Sequence, residues 1–325
     1  MAGSWIGNRW QASGISRQIR VLLCLLPVGC YLLPPGTCYL TAAQQPDRAV
    51  FSARSDVVVL HVTVLDRRAG FVAGLPQDAF TVFEDGRPQI IRFFSNEDSP
   101  ATVGLVIDNS TSMQRKREAL IAAGTAFAQS SHPDDELFAL HFNERVWAGL
   151  PAGQPFTSNV GELRQALLRS TARGRTALFD AVAAAIAHAQ KGRAQKKVLI
   201  VISDGGDNAS AKRFDDVRDL AARSDVVIYG IGLADEYSED ADPDVLKELA
   251  RATGADAYFP GRTSEVTRIL DRIARDIRSG YTIGYVPAAG TEGYRRIKVE
   301  VTVPGRKLSV RARSGYIASG ASDAR

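Results

Sequence analysis

The chain has 325 residues, 45% of them hydrophobic and 23% charged, which excludes a disordered chain and an integral membrane protein. Its length is sufficient for two domains. The formal net charge of +4 is local, because Arg9, Arg17 and Arg20 precede the first acidic residue, Asp47. Subtracting these three from the 40 basic residues leaves 37 basic against 36 acidic side chains, so the rest of the chain shows no nucleic-acid-binding excess of charge.

The first 43 residues predict a signal peptide. A positively charged flank precedes the apolar run "VLLCLLPVGCYLL", and small residues at 41–43 predict cleavage before Gln44. An uncleaved membrane anchor is the alternative, but three prolines within residues 21–43 interrupt a continuous spanning helix. We therefore expect export to the periplasm or the extracellular space, with membrane association only through an uncleaved N-terminal anchor.

Cysteine is confined to this leader, at Cys24, Cys30 and Cys38. Cleavage would leave a body without thiols, which excludes a disulfide, a thiolate nucleophile and a zinc–thiolate site. The hydrophobic core alone must then hold the fold together.

Residues 49–98 predict the first part of a β-sandwich. Short runs of alternating β-branched residues are separated by the turn signals "DRRAG" and "EDGRP", and the polar stretch "SNEDSPA" follows as a linker.

Residues 99–279 alternate between strand and helix patterns. Buried strands are predicted for "TVGLVID", "ELFALHFN", "KKVLIVISD" and "DVVIYGIGL", with a short strand at "AYF". Helices are predicted for residues 114–129, 160–168, 177–190, 244–253 and 263–277. This alternation predicts a doubly wound α/β domain with a mostly parallel sheet and right-handed crossovers.

Residues 280–318 return to strand patterns, in "YTIGYVPA", "YRRIKVEVTV" and "KLSVRARSGYIA". Neither flank has enough strands to bury a sheet face by itself. We therefore predict that both flanks pair into one small β-sandwich with the α/β domain inserted between them. Residues 319–325 predict a disordered tail.

Polar side chains follow two of the buried strands at the point where each strand ends. Asp108, Ser110 and Ser112 follow "TVGLVI", and Asp204 follows "VLIVIS". Thr176 lies between them, at the predicted first turn of a helix. The carboxyl ends of parallel strands share one edge of a sheet, so these side chains are expected to meet there. In an extended loop, the three residues at i, i+2 and i+4 would point the same way.

Hydroxyl and carboxylate oxygens without His or Cys are typical ligands of a hard cation. Mg²⁺ fits best because it retains several waters, with Mn²⁺ or Ca²⁺ as alternatives. If Asp204 acts partly through water, the ion retains positive character and an open coordination position. The predicted function is capture of an Asp or Glu side chain of a partner protein, without a bond-breaking step.

Residues of about 101–279 resemble a von Willebrand factor A-type domain. The five residues match its metal-ion-dependent adhesion site, which has the pattern D-x-S-x-S, a distant T and a distant D. "RTALFDA" and "LIVISDGGDN" supply the last two elements in the expected order. The resemblance implies a divalent-cation-dependent protein-binding module and these five residues as its metal ligands.

Both flanks are similar to those of exported bacterial proteins related to this family, which are abundant in acidobacteria. One position departs from the family pattern, because the residue before Thr176 is often glycine and is Arg175 here. A guanidinium near the ion would strengthen attraction for an acidic ligand or weaken metal affinity. The alternative is that Arg175 points into solvent.

Two other classes of function are open at this point. A phosphotransferase would use a strand-end aspartate nucleophile such as Asp108, but it would normally need a second carboxylate where this chain has Ser110. A structural cell-envelope scaffold with a vestigial metal site is the other alternative. The same side chains would then only cap helices and end strands. No G-x-S-x-G motif indicates a serine hydrolase.

Overall fold

The computed structural model describes residues 57–67, 70–234, 240–288 and 292–318, all within one unit of the chain, residues 53–325. The predicted leader and the predicted tail lie outside the described residues. Among those residues, no helix is both long enough and apolar enough to cross a membrane.

The chain order of the described elements is β-rich, then α/β, then β-rich. The strands are β1 (Val58–Asp66), β2 (Gly70–Phe71), β3 (Phe80–Glu84), β4 (Arg87–Gln89), β5 (Ile91–Ser95), β6 (Ala101–Asp108), β7 (Glu136–Phe142), β8 (Val146–Ala148), β9 (Lys196–Ser203), β10 (Val226–Gly232), β11 (Ala257–Tyr258), β12 (Tyr281–Tyr285), β13 (Gly293–Val301), β14 (Leu308–Arg311) and β15 (Gly315–Ala318). The helices are α1 (Arg117–Ser130), α2 (Val160–Leu168), α3 (Leu178–Ala189), α4 (Phe214–Arg223), α5 (Pro243–Thr253) and α6 (Val266–Ser279).

The central sheet has the strand order β11-β10-β9-β6-β7-β8. Pairing is parallel except at the edge strand β8, which is antiparallel to β7. Every residue of β6 and β9 is buried, as expected for strands covered by helices on both faces. The chain runs from β6 to β7 on one side and reaches β9 on the other. The gap between β6 and β9 is therefore the topological switch point where such sheets bind ligands.

Local sequence signals begin and end several of the helices. Asn159 caps α2, since its side chain accepts a hydrogen bond from the Glu162 N–H at 3.1 Å. Asp242 caps α5, whose first residue is Pro243, and Gly254 ends that helix at a φ of +84°.

The sequence patterns do not predict α4. Only three of its ten residues are buried, so its apolar signal is weak. A helix is nevertheless required there, because parallel strands β9 and β10 need a crossover connection.

The two β-rich flanks pair with each other as predicted. One antiparallel sheet has the order β14-β1-β12-β5, with β2 paired to β1, and the other has the order β15-β13-β3-β4. Their facing sides form a shared core that includes Leu60, Val62, Val82, Tyr281 and Ile283. The predicted fold, an α/β sheet inserted in a small β-sandwich, is confirmed. The predicted domain limits stay a prediction.

Candidate metal centre

The sheet places the two predicted aspartates at the same edge. Asp108 is the last residue of β6, and Asp204 directly follows β9. Since Ile107 pairs with Ile202 in parallel register, both chains leave the sheet side by side. Thr176 lies two residues before α3, not within its first turn as predicted.

A turn brings the two serines to Asp108. The Ser110 N–H donates to Asp108 Oδ1 at 2.7 Å, which closes an Asx turn. A 3₁₀ helix then spans Thr111–Lys116 ahead of α1. The hydroxyls of Ser110 and Ser112 lie 3.1 Å apart. The expectation of an extended loop is therefore wrong, because a turn and a 3₁₀ helix bring these hydroxyls together.

The loop after β9 joins the same cluster of oxygens. Ser112 Oγ donates to Asp204 Oδ2 at 2.7 Å, while the Gly206 N–H donates to Asp204 Oδ1 at 3.2 Å. Asp204 thus forms an Asx turn of its own and keeps one oxygen beside Ser112. Two chain-distant loops thus place four oxygen-bearing side chains in one contiguous cluster, those of Asp108, Ser110, Ser112 and Asp204.

Asp108 is the most buried carboxylate of this cluster, with a relative exposure of 1%. Its Oδ2 accepts a hydrogen bond from Ser203 Oγ at 2.6 Å. Burial raises the pKa of Asp108 to about 6, although hydrogen bonds from Ser203 and Ser110 act in the opposite direction. The carboxylate form is therefore penalised by desolvation, and a neighbouring cation would offset that penalty.

Thr176 is held by its backbone. Its N–H donates to Asn208 Oδ1 at 2.9 Å, and its carbonyl accepts from the N–H groups of Asn208 and Ala209, both at 2.9 Å. Within the described ranges, the Thr176 hydroxyl makes no hydrogen bond, so its oxygen is available to another ligand.

The loop before Thr176 is also tied to the loop that follows Asp108. The Arg173 N–H donates to the Asn109 carbonyl at 2.7 Å, and the Thr111 N–H donates to the Gly174 carbonyl at 3.2 Å. All three loops that carry the predicted ligands are therefore connected by hydrogen bonds.

A buried amide–imidazole pair supports the Asp108 loop from behind. Asn109 Nδ2 lies 3.0 Å from His141 Nδ1, and His141 Nε2 lies 3.0 Å from the Ala166 carbonyl. A carbonyl can only accept, so Nε2 carries the proton and Nδ1 accepts from the amide. Burial lowers the pKa of His141 to about 4. Sequence reasoning missed this pair, because no local signal relates residues 32 positions apart.

Two further carboxylates near the site stabilise its loops. Asp207 Oδ2 accepts from the Phe179 N–H at 2.9 Å and from Ser210 Oγ at 2.6 Å. Asp180 accepts from the Ala211 N–H at 2.8 Å. These contacts hold the loop after β9 against the start of α3.

The donor set fits a small hard cation. Two ligands at right angles, each about 2.1 Å from Mg²⁺, lie about 3 Å apart. The separations of 3.1 Å between Ser110 and Ser112 and 2.7 Å between Ser112 and Asp204 are close to that value. Among the described residues, no three His, Cys, Asp or Glu side chains group as a metal site. The hydroxyls would therefore have to complete the coordination.

The comparison with family models matches residues 103–272 to the von Willebrand factor type A domain. Among solved structures, a von Willebrand factor type A protein from Catenulispora acidiphila is 13% identical, with 82% of this chain and 74% of that chain covered and a TM-score of 0.51. At that identity the likeness describes the fold.

Two other solved structures are similar over the α/β region. The vWF domain of the type V pili tip protein Mfa5 from Porphyromonas gingivalis is 16% identical, covering 55% of this chain and 95% of that chain, with a TM-score of 0.46. Proximal thread matrix protein 1 from the mussel byssus, with a zinc-occupied MIDAS motif, is 16% identical, with a TM-score of 0.46. The match covers 56% of this chain and spans about half, 48%, of the mussel protein. No curated protein matches the chain.

Proposed function

The chain belongs to the von Willebrand factor type A domain family, and we propose that it is an exported module that captures an acidic side chain of a partner protein through a divalent cation. One observation carries the proposal: Ser110, Ser112 and Asp204 place their oxygens in one cluster beside Asp108. Thr176 would supply the fifth ligand from the third loop. Export rests on the leader pattern of the sequence.

The five residues would hold Mg²⁺, or alternatively Mn²⁺ or Ca²⁺, through oxygen atoms alone. When bound, the cation would offer a coordination position to a carboxylate oxygen of the partner. Asp108 and Asp204 are the acidic members of the set, and each already accepts two hydrogen bonds. These bonds draw negative charge away from the ion, which favours an acidic ligand from outside.

The protein residues do the positioning in this scheme. Ser112 links the two aspartate-bearing loops, and Asn208 links the Asp204 loop to Thr176. Because the donors are held before the partner arrives, little side-chain entropy is lost on binding.

Calorimetric titration with Mg²⁺ and Mn²⁺ tests the proposal directly. We expect saturable binding by the wild type and its loss in Asp108→Asn, which keeps the shape of the side chain and removes its charge. Asp135→Asn is the matched control. Asp135 is also buried, and it accepts hydrogen bonds from the N–H groups of Ala101 and His132, whereas it precedes β7 at the other end of the strands. That variant should bind both cations normally.

Equal binding by the wild type and Asp108→Asn would contradict the proposal, because the cation would then lie elsewhere. Absence of binding by the wild type, even with an acidic peptide present, would favour the structural scaffold with a vestigial site. If the wild type binds the cation and Asp108→Asn does not, the next experiment is a pull-down of partner proteins with and without a chelator.

A further inference from the structure

The segment before Thr176 has a rigid backbone. Besides the bonds of Arg173 and Gly174 to the Asp108 loop, the Arg175 N–H donates to Glu144 Oε2 at 3.0 Å. Gly174 has a φ of +83°, and a Cβ there would meet the Glu144 carboxylate at 1.9 Å. Glu144 therefore lies directly over Gly174 and fixes the peptide from which the Arg175 side chain departs.

The Arg175 side chain reaches across to the second aspartate loop. Its Nη1 donates to the Asn208 carbonyl at 3.3 Å, and Asn208 is the residue whose side chain holds the Thr176 N–H. The guanidinium thus lies over the junction of the Thr176 and Asp204 loops. Arg175 is exposed, as the alternative of a solvent-facing side chain predicts. Its guanidinium is nevertheless held beside the site by the hydrogen bond to Asn208.

A guanidinium carries five N–H donors, and the Asn208 carbonyl accepts from one nitrogen only. Because Arg175 is exposed, its other donors are accessible from solvent. Guanidinium groups bind planar carboxylates with two parallel hydrogen bonds, a geometry that an ammonium does not provide. The positive charge of the Arg175 guanidinium would also repel a divalent cation in the site. Arg175 would therefore strengthen binding of the acidic ligand and weaken binding of the metal.

We propose that Arg175 is a specificity-determining residue, which binds the partner's carboxylate together with the cation and restricts the site to acidic side chains. The inference rests on the proposed function. It assigns to Arg175 the second contact of the partner's carboxylate, the first being with the cation. Acidic side chains that bridge the cation and the guanidinium would bind, whereas neutral oxygen ligands would lose that second contact.

The test uses the full chain loaded with Mn²⁺ and a probe with one carboxylate, N-acetylglutamate α-methylamide labelled with ¹³C at its side-chain carboxylate. Mn²⁺ broadens the ¹³C signal of a carboxylate that approaches it, which gives the probe affinity, and calorimetry gives the Mn²⁺ affinity. We expect Arg175→Gln to weaken probe binding about tenfold, the effect of one charged hydrogen bond. The same change should strengthen Mn²⁺ binding about twofold to threefold, because a screened repulsion is removed.

Two further variants separate charge from geometry. Arg268→Gln makes the same chemical change at an exposed position of α6 and should alter neither affinity. Arg175→Lys should keep the Mn²⁺ affinity of the wild type but recover only part of the probe affinity, since it keeps the charge and loses the paired donors.

Unchanged probe affinity in Arg175→Gln, with normal Mn²⁺ binding, would overturn the inference and leave the proposed function intact. Parallel weakening of both affinities would also overturn it, because that pattern indicates a structural role in the loop. Absence of Mn²⁺ binding by the wild type with the probe present, or of any probe broadening, would overturn the proposed function, and the inference with it.

Discussion

At the scale of single residues, the backbone of Gly205 determines where the Asp204 carboxylate lies. Its φ is +89°, and a Cβ at this position would lie 2.1 Å from the Asp242 carbonyl oxygen. We expect Gly205→Ala to lower the free energy of unfolding by about 3 kcal/mol, from left-handed strain and a backbone clash together. The displaced loop should also weaken Mn²⁺ binding. Urea denaturation and calorimetry measure the two effects.

Gly153→Ala is the control for conformational strain alone. Gly153 has a similar φ of +86°, but no atom lies within 4 Å of a Cβ placed there. In that variant the free energy of unfolding should fall by about 1 kcal/mol, and Mn²⁺ binding should be normal. Equal losses in the two variants would show that the contact with Asp242 does not shape the site.

At the scale of elements, β7 supports the Asp108 loop through His141. Burial lowers the pKa of His141 from an ordinary value of 6.5 to about 4, so the neutral imidazole is favoured in the fold. The stability that depends on this neutral imidazole is fully present above the unfolded-state pKa. It is lost as the pH falls from there through the folded-state pKa. It amounts to about 3 kcal/mol. His141→Gln should therefore be less stable than the wild type at pH 7, and the difference should narrow by pH 4.

Urea denaturation of both proteins at several pH values between 7 and 4 measures this difference. Comparison with the variant cancels the contribution of the other buried groups, His61 and Asp135 among them. A difference that stays constant with pH would contradict a buried neutral imidazole at His141.

The elements also show what the sequence could predict. The strands that end at Asp108 and Asp204 are visible because each is a continuous apolar run closed by a carboxylate, and parallel pairing then brings the ends together. The pairing of Asn109 with His141 depends on the register of β6 and β7, which places Ile107 beside His141. No local pattern encodes that register, so the contact could not be predicted.

The geometry of the loop after Asp108 could not be predicted from the sequence, for another reason. The spacing of Ser110 and Ser112 fits an extended loop as well as a 3₁₀ helix, and only the N–H bond to Asp108 selects the turn. Arg175 shows the same limit. Its exposure follows from its charge, but its contact with Asn208 depends on where two distant loops meet.

At the scale of the whole molecule, a buried carboxylate joins the sandwich to the α/β sheet. Asp276 on α6 is 1% exposed and is contacted by Arg311 of β14, which also contacts Asp256. Thr63 Oγ1 of β1 and the Tyr229 hydroxyl of β10 each donate to Asp276 at 2.8 Å. Four elements from both parts of the chain therefore meet at one charge, which couples the inserted domain to its host.

Removal of Arg311 tests this coupling. Arg311→Met should lower the free energy of unfolding by about 3–5 kcal/mol, because it leaves Asp276 buried without its counter-charge. Arg218→Met is the matched control at the exposed pair with Glu248, whose side chains are 39% and 46% exposed, and it should change stability by less than about 1 kcal/mol. The double variant Arg311→Met/Asp276→Asn should regain part of the loss, because the unpaired charge is gone. Urea denaturation at pH 7 measures all three. Similar losses in Arg311→Met and Arg218→Met would mean that the contact between Arg311 and Asp276 does not couple the two parts.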